Sequence, residues 1–303
     1  MLIEVYNEKY FIDLARTYRY WFRLAPVLSL IKILFFLSIN ESYSSELPRT
    51  PIVGYVSSSV SSGNYDGDSW KQHAFDGAIV LPVSKNINFQ IDGRFRDYSI
   101  GDGVAFAITA GQQNAIGTTI FWRDIDYGLF GFFYDSGIVE GWQSNFKSGG
   151  FHTEIFLNDK VTIGSRYTRT DNNTDELNTG VTSTDNTYDL WISYFVQKNL
   201  SMNINYTHHS TDHIEVTDSN ENIYTFSTEY YLKDLTKIDS IIALYLTHSD
   251  FTDYERHPNN AVKIEVKWLL TDQKELVGVK RNGPIENRYN NYLDKPLWWN
   301  FPL

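Results

Sequence analysis

The sequence predicts an all-β protein, a transmembrane antiparallel up-and-down β-barrel of about 12 strands. Residues 86–98 show the first reason, because Ile87, Phe89 and Ile91 alternate with Gln90 and Asp92. Successive side chains of a strand point to opposite faces, so this segment has one apolar face and one polar face. Such a strand suits a barrel that has lipid outside and a polar interior.

The lengths of the predicted connectors are the second reason. Short turns are predicted at residues 84–85, 124–126, 158–159, 197–199 and 235–238. Longer polar connectors are predicted at residues 62–69, 100–114, 139–148, 172–185, 213–222 and 252–259. Short and long connectors alternate, which gives an even number of strands, with short turns in the periplasm and long loops outside. A soluble β-sandwich or propeller is the alternative, but its connectors are of mixed length.

Composition is the third reason and also limits the possible functions. Aromatic residues make up 16% of the chain, yet only 42% of it is apolar, as expected if half of each strand faces lipid. The net charge of −11 argues against a nucleic-acid partner. The chain has no cysteine, and no phosphate-binding loop, metalloprotease helix or dinucleotide fingerprint occurs in it. We therefore expect no cofactor and no metal.

The N-terminus resembles an export signal. Three arginines within residues 16–23 precede a largely apolar run over residues 24–39, and the small residues Ser42 and Ser44 follow. A run of 16 residues interrupted by Lys32 is short for a spanning helix, which needs about 20 residues, although a retained signal anchor is the alternative. We predict a signal segment over residues 1–45, a barrel over 46–271 and a tail over 272–303 that is a periplasmic appendage or a partial plug.

Charged residues at inward positions are predicted to line a narrow lumen. A row of charges on the lipid face would cost about 2–4 kcal/mol per midplane lysine, so these side chains must point inward. Opposed charges on a pore wall select polar solutes by size and sign. Arg94 and Arg96 are the predicted constriction pair, and Asp76 shares their face. The predicted pore-lining residues are Asp92, Arg94, Arg96, Arg123, Glu154, Arg166, Asp189, Glu229, Lys263, Glu265 and Lys267.

Two further segments carry expectations about position. Aromatic residues near predicted strand ends are expected at the membrane interfaces. They are Tyr55, Trp122, Tyr188, Tyr206, Tyr224 and Trp268. The apolar run at residues 104–109, inside a long connector, is expected to extend a hairpin or to fold inward as a constriction.

Two neighbouring motifs carry a resemblance to a known group of proteins. TTIFWRDIDYGLFG at residues 118–131 and GGFHTEIFLNDKVTIGSRY at 149–167 resemble a hairpin pair of uncharacterised porin-like outer-membrane proteins of Gram-negative bacteria. The resemblance implies an outer-membrane barrel without established chemistry. Its expected partners are outer-membrane lipid and lipopolysaccharide, the barrel-insertion machinery and small polar solutes. Many such barrels end on a terminal aromatic strand, whereas here a long tail follows the last predicted strand.

An enzymatic alternative starts from His208 and Ser210, which share the outward face of the predicted ninth strand. Outer-membrane phospholipase A, also a twelve-stranded barrel, is similar in having a histidine and a serine two residues apart on its lipid-facing surface. The sequence does not name a third residue to orient the histidine, because His248 and Ser249 are adjacent and face opposite ways. We therefore predict a narrow passive channel and no enzyme. A structural or adhesion barrel without a pore is the remaining alternative.

Overall fold

A computed structural model of the chain describes residues 52–65, 68–100, 110–140, 144–174, 182–213, 219–232, 239–251, 259–271, 273 and 275–285. The predicted signal segment over residues 1–45, the apolar run at 104–109, the short turn at 235–238 and residues 286–303 of the tail lie outside the described residues.

The described residues form a closed antiparallel barrel of twelve strands followed by one short helix, which confirms the predicted fold class. Each strand pairs with its neighbours in the chain, and β1 closes the barrel against β12. The elements are β1 Val53–Tyr65, β2 Asp68–Pro82, β3 Ile87–Ile100, β4 Ala110–Asp124, β5 Gly128–Glu140, β6 Ser144–Asn158, β7 Val161–Thr174, β8 Thr182–Gln197, β9 Leu200–His213, β10 Ser219–Leu232, β11 Ser240–Phe251, β12 Asn259–Leu270 and α1 Leu276–Asn282.

The strands continue further toward the long-loop end than the sequence predicts. Residues 62–69 were expected to be a connector, but β1 runs to Tyr65 and β2 begins at Asp68, with Asn64 still paired to Ser69. The apolar alternation stops where the side chains no longer face lipid. The ladder of backbone hydrogen bonds is independent of that boundary, so it continues through polar residues.

The outer surface of the barrel is apolar and its inner surface is polar. Ile204 is 66% exposed, whereas the next residue, Asn205, is 1% exposed. Likewise Ile264 is 55% exposed and Glu265 is 8% exposed. A soluble sandwich would bury the first of each pair and expose the second, so the soluble alternative is wrong. This distribution is the one that a surrounding lipid phase requires.

No helix within the described part of the chain is long and apolar enough to cross a membrane.

Five of the six predicted interfacial aromatic residues lie exposed on the outer surface, namely Trp122, Tyr188, Tyr206, Tyr224 and Trp268. The prediction for Tyr55 is wrong, because this residue is buried on the inner face. Its ring lies under the ammonium group of Lys267, with Nζ 4.9 Å from the ring centroid. Tyr55 is two residues from Ser57, which is also buried, so the strand period places both side chains in the lumen.

Residues 275–285 pack inside the short-turn end of the barrel. Leu276 and Val279 of α1 pack in a buried apolar cluster with Tyr231, Ile241 and other inward side chains. Ile285 joins a second cluster on the other side of the lumen, which includes Phe121, Leu129 and Phe156. The segment thus covers two apolar areas of the inner wall. The assignment of the whole tail to the periplasm stays a prediction.

Replacing an outward apolar residue at mid-strand with a charge should destabilise the barrel. We expect Ile264→Lys to lower the free energy of unfolding by about 2–4 kcal/mol, because the ammonium group would face the hydrocarbon. The matched control is Asn260→Lys, at the exposed outer end of the same strand face, with an expected cost of about 0–1 kcal/mol. Urea unfolding in phospholipid vesicles measures both variants. Equal losses of stability would contradict the assigned lipid face.

Candidate functional site in the barrel lumen

The structure places all eleven predicted pore-lining residues on inward positions of their strands. Glu154 and Lys263 are half-buried. The other nine are buried: Asp92, Arg94, Arg96, Arg123, Arg166, Asp189, Glu229, Glu265 and Lys267. Their inward direction follows from the strand period, since their immediate neighbours lie on the outer surface.

The centre of the site is a buried cluster of two arginines and two aspartates. Arg94 Nη2 donates to Asp92 Oδ1 at 2.8 Å and to Asp135 Oδ2 at 3.4 Å. Arg166 Nη2 lies 3.9 Å from the same Asp135 oxygen. These side chains come from β3, β5 and β7, so the cluster bridges across β4 and β6. Charges held away from water are stabilised here by mutual pairing.

A glycine on β4 makes room for this cluster. Gly117 pairs directly with Asp92 on one side and with Asp135 on the other. A Cβ atom at Gly117 would lie 2.2 Å from Asp135 Oδ1 and 2.6 Å from Asp92 Oδ1. Any larger inward side chain on β4 would therefore occupy the space into which the two carboxylates project.

The two arginines of the predicted constriction pair contact different carboxylates. Arg94 belongs to the central cluster, whereas Arg96 Nη2 lies 3.9 Å from Asp76 Oδ1 on β2. Arg166 also stacks on an aromatic ring, with its guanidinium carbon 3.8 Å from the Phe133 ring centroid. Arg123 is placed similarly over Phe121 at 4.6 Å. Stacking on aromatic faces stabilises a guanidinium group that is poorly hydrated.

The remaining predicted residues are distributed around the lumen wall. Asp189 accepts a 2.5 Å hydrogen bond from Thr207. Tyr245 donates to Glu265 at 2.9 Å, and Lys263 Nζ lies 4.2 Å from the centroid of the same tyrosine ring. Asp189 is the direct cross-strand partner of Arg166 and so lies beside the central cluster, whereas Lys263 and Glu265 lie on β12, away from it.

The terminal segment 275–285 is attached to inward residues of the barrel. Gln90 donates to the carbonyl of Ile285 at 3.0 Å and accepts from its backbone N–H at 2.8 Å. Lys280 Nζ donates to Glu229 Oε1 at 2.6 Å, and both side chains are at most 5% exposed. Arg281 donates to the carbonyl of Asn158. The segment is thus held to three separate parts of the wall.

A second ion pair fixes the start of this segment on the outside of the lumen. Lys198 Nζ donates to Glu275 Oε1 at 2.6 Å, and the two side chains are 82% and 41% exposed. This hydrogen bond raises the pKa of Lys198 above its ordinary value. The segment 275–285 is therefore held by one exposed ion pair, Lys198–Glu275, and by one buried ion pair, Lys280–Glu229, of the same length.

Sequence reasoning missed several buried inward residues, including Asp135, Asp185, His152 and His209. His152 Nε2 lies 3.2 Å from Glu154 Oε1, and His209 Nε2 lies 3.7 Å from Asp185 Oδ1. The strand period could have found Asp135, because it shares a face with Leu129 and Phe133. No group of three possible metal ligands occurs among the residues that the structure describes.

No protein-family model matches the sequence, and no curated protein matches it. The fold is similar to that of an outer-membrane channel from Pseudomonas putida F1, with a TM-score of 0.59 and 11% sequence identity over 76% of this chain and 100% of that one. The fold is that of an outer-membrane β-barrel. The KdgM porin is less similar, with a TM-score of 0.44 and 8% identity over 71% of this chain and 99% of that one. The translocator domain of the autotransporter NalP from Neisseria meningitidis has a TM-score of 0.44 and 10% identity over 80% and 96% of the two chains.

These findings confirm the predicted fold, which is that of an outer-membrane β-barrel. At 11% identity the likeness to the Pseudomonas channel concerns the fold and leaves the solute open. Lipopolysaccharide and the barrel-insertion machinery stay predictions.

Adding one methyl group at Gly117 should disturb the central cluster. We expect Gly117→Ala to destabilise the barrel by about 1–3 kcal/mol, because the new Cβ overpacks the space between Asp92 and Asp135. Gly93→Ala is the control, since its nearest neighbour would be 4.0 Å away. Urea unfolding of both refolded variants measures the difference. If Gly117→Ala were as stable as Gly93→Ala, the packing described for the cluster would be wrong.

Proposed function

We propose that this barrel is a narrow passive channel for small polar solutes and that the structure is its closed form. The channel would cross the outer membrane through the charged lumen. Segment 275–285 would close the short-turn end, which faces the periplasm in barrels of this type.

The central cluster is the observation that carries the proposal. Arg94 and Arg166 pair with Asp92 and Asp135, so charges of both signs line the inner wall from β3 to β7. A narrow passage with such walls passes small polar solutes and rejects large or apolar ones. A barrel with a purely structural interior could be filled with apolar side chains, which need no partners.

The closing segment is held by contacts that can be broken one at a time. Lys280 and Glu229 form a buried ion pair, whereas Lys198 and Glu275 form an exposed pair of the same 2.6 Å length. Breaking a buried pair costs about 3–5 kcal/mol, because it leaves an uncompensated charge. An exposed pair contributes little, because water screens both charges. Of these two pairs, the buried one should have the larger effect on whether the segment leaves the lumen.

The two lysines provide a matched test of the channel and of its closure. We expect Lys280→Ala to raise the open probability in planar bilayers by at least about tenfold, which requires only 1.4 kcal/mol of destabilisation of the closed form. Lys198→Ala should leave the conductance of the barrel unchanged.

The same recording separates a channel from a barrel without a pore. Removal of residues 272–303 should give steady conductance steps from a refolded barrel. If neither this truncated chain nor Lys280→Ala conducts ions while both remain folded, the channel proposal is wrong and a structural or adhesion barrel is favoured.

A further inference from the structure

One part of the inner wall carries hydrogen-bond acceptors that no donor of the described chain satisfies. Asp189 on β8 and Asn203 and Asn205 on β9 point into the lumen, and each is at most 3% exposed. Asp189 Oδ2, Asn203 Oδ1 and Asn205 Oδ1 accept no hydrogen bond within the residues that the structure describes. Buried oxygen atoms are rarely left in this state, because burial has removed their hydrogen bonds to water. The three oxygen atoms form an acceptor site on the wall.

The donors next to these oxygen atoms are already used. Asn205 Nδ2 donates to Thr207 Oγ1 at 2.9 Å, and Thr207 Oγ1 donates to Asp189 Oδ1 at 2.5 Å. Thr207 has a single hydroxyl proton, which it gives to the carboxylate, so its oxygen must accept from the nitrogen of the Asn205 amide. Asn203 Nδ2 likewise donates to Ser227 Oγ at 3.2 Å. The amides therefore present only their oxygen atoms to a solute.

An ammonium group is the ligand that fits such a site. It has three N–H donors, one positive charge and no acceptor. A sugar or alcohol hydroxyl brings an acceptor with every donor, and that acceptor would find no partner among the three oxygen atoms. Asp189 supplies the opposite charge, and a bound ammonium group in turn favours the ionised carboxylate.

The register of β8 and β9 brings the acceptors within reach of one cation. Asp189 lies directly opposite Thr207, which is two residues from Asn205 on the same face. Asp189 and Asn205 are thus diagonal neighbours, whose Cα atoms lie about 7–8 Å apart. Side chains of this length close most of that gap, so a single ammonium group can contact both.

The same side of the lumen already binds an ammonium group in the closed form. Lys280 Nζ, from the terminal segment, donates to Glu229 Oε1 at 2.6 Å. The other carboxylate oxygen of Glu229 accepts from Ser201 Oγ at 3.0 Å, which fixes the carboxylate against β9. Glu229 is the direct cross-strand partner of Ser201, and Ser201 is two residues from Asn203 on the same face. Asn203 therefore lies between the carboxylates of Asp189 and Glu229 along the lumen.

We propose that the acceptor site binds the ammonium group of small organic amines and that these cations are the solutes of the channel. This inference rests on the proposed channel function and names its solute class. A cation that enters from the long-loop end reaches Asp189 and Asn205 before Asn203, and it reaches Glu229 once Lys280 has left. Several sites of moderate strength in a row let a solute both enter and leave a pore.

Binding is measured on the refolded wild-type barrel in detergent micelles, because the proposed closure lies at the short-turn end and the acceptor site does not depend on it. Saturation-transfer NMR compares ethylammonium with tetramethylammonium, which has the same charge and no N–H donor. We expect ethylammonium to bind at least about tenfold more tightly, which is the effect of one hydrogen bond to a charged group. Ethylene glycol, a neutral hydroxyl probe, should not compete with it.

Substitutions of similar size assign this binding to the wall. Asn205→Leu removes one acceptor and should weaken the binding of ethylammonium by about tenfold. Asn205→Asp keeps an acceptor, adds a negative charge and should strengthen the binding, an outcome that a misfolded barrel would not give. Asn260→Leu, at the exposed outer end of β12, is the control and should bind as the wild type does.

Permeation tests whether such cations are the solutes. The reversal potential of Lys280→Ala in a planar bilayer, with ethylammonium chloride on one side and tetramethylammonium chloride on the other, gives the ratio of the two permeabilities. We expect a preference for ethylammonium of about tenfold, which Asn205→Leu in the same background should largely remove. If ethylammonium binds no better than tetramethylammonium to the folded wild type, the inference is wrong, whereas conductance of Lys280→Ala would still support the channel. Binding without conductance in any variant would instead overturn the channel and the solute class together.

Discussion

The structure depends on one constraint, that every backbone N–H and C=O group within a membrane must find a partner inside the protein. A sheet meets it only by closing on itself, and here β1 pairs with β12 over the full length from Gly54 to Asn64. Closure then divides each strand into a lipid face and a lumen face. The abrupt change from Ile204 to Asn205 is a direct consequence of that division.

The same constraint explains the unusual interior. Once the outer face is apolar, polar side chains collect in a lumen that twelve strands leave narrow. They are close enough to pair, as Arg94 does with Asp92 and Asp135, and a small residue at Gly117 leaves the space for them. At the short-turn end, α1 and Ile285 cover two apolar clusters of the inner wall.

The sequence predicts the features that follow from the two-residue alternation of strands. It misses the contacts between residues that are far apart in the chain. Strand number, topology and the inward direction of Arg94 or Lys267 follow from a two-residue alternation, which is local. The place of the tail is not local, since Gln90 and Ile285, which form its hydrogen bonds to β3, are 195 residues apart. The inward position of Tyr55 is not local either, because its buried apolar cluster includes Leu276 and Val279 of α1. His208 Nδ1 donates to Asn222 on the neighbouring strand, a contact that depends on the register of β9 and β10.

Single spin labels along β12 test the central claim most directly, and the absence of native cysteine makes each label unique. Labelled cysteines would replace residues 262–268 one at a time in the vesicle-inserted barrel. Collision with oxygen, which concentrates in hydrocarbon, should be high at 262, 264, 266 and 268 and low at 263, 265 and 267. A profile without this two-residue period, or with the high values at the odd positions, would contradict the account.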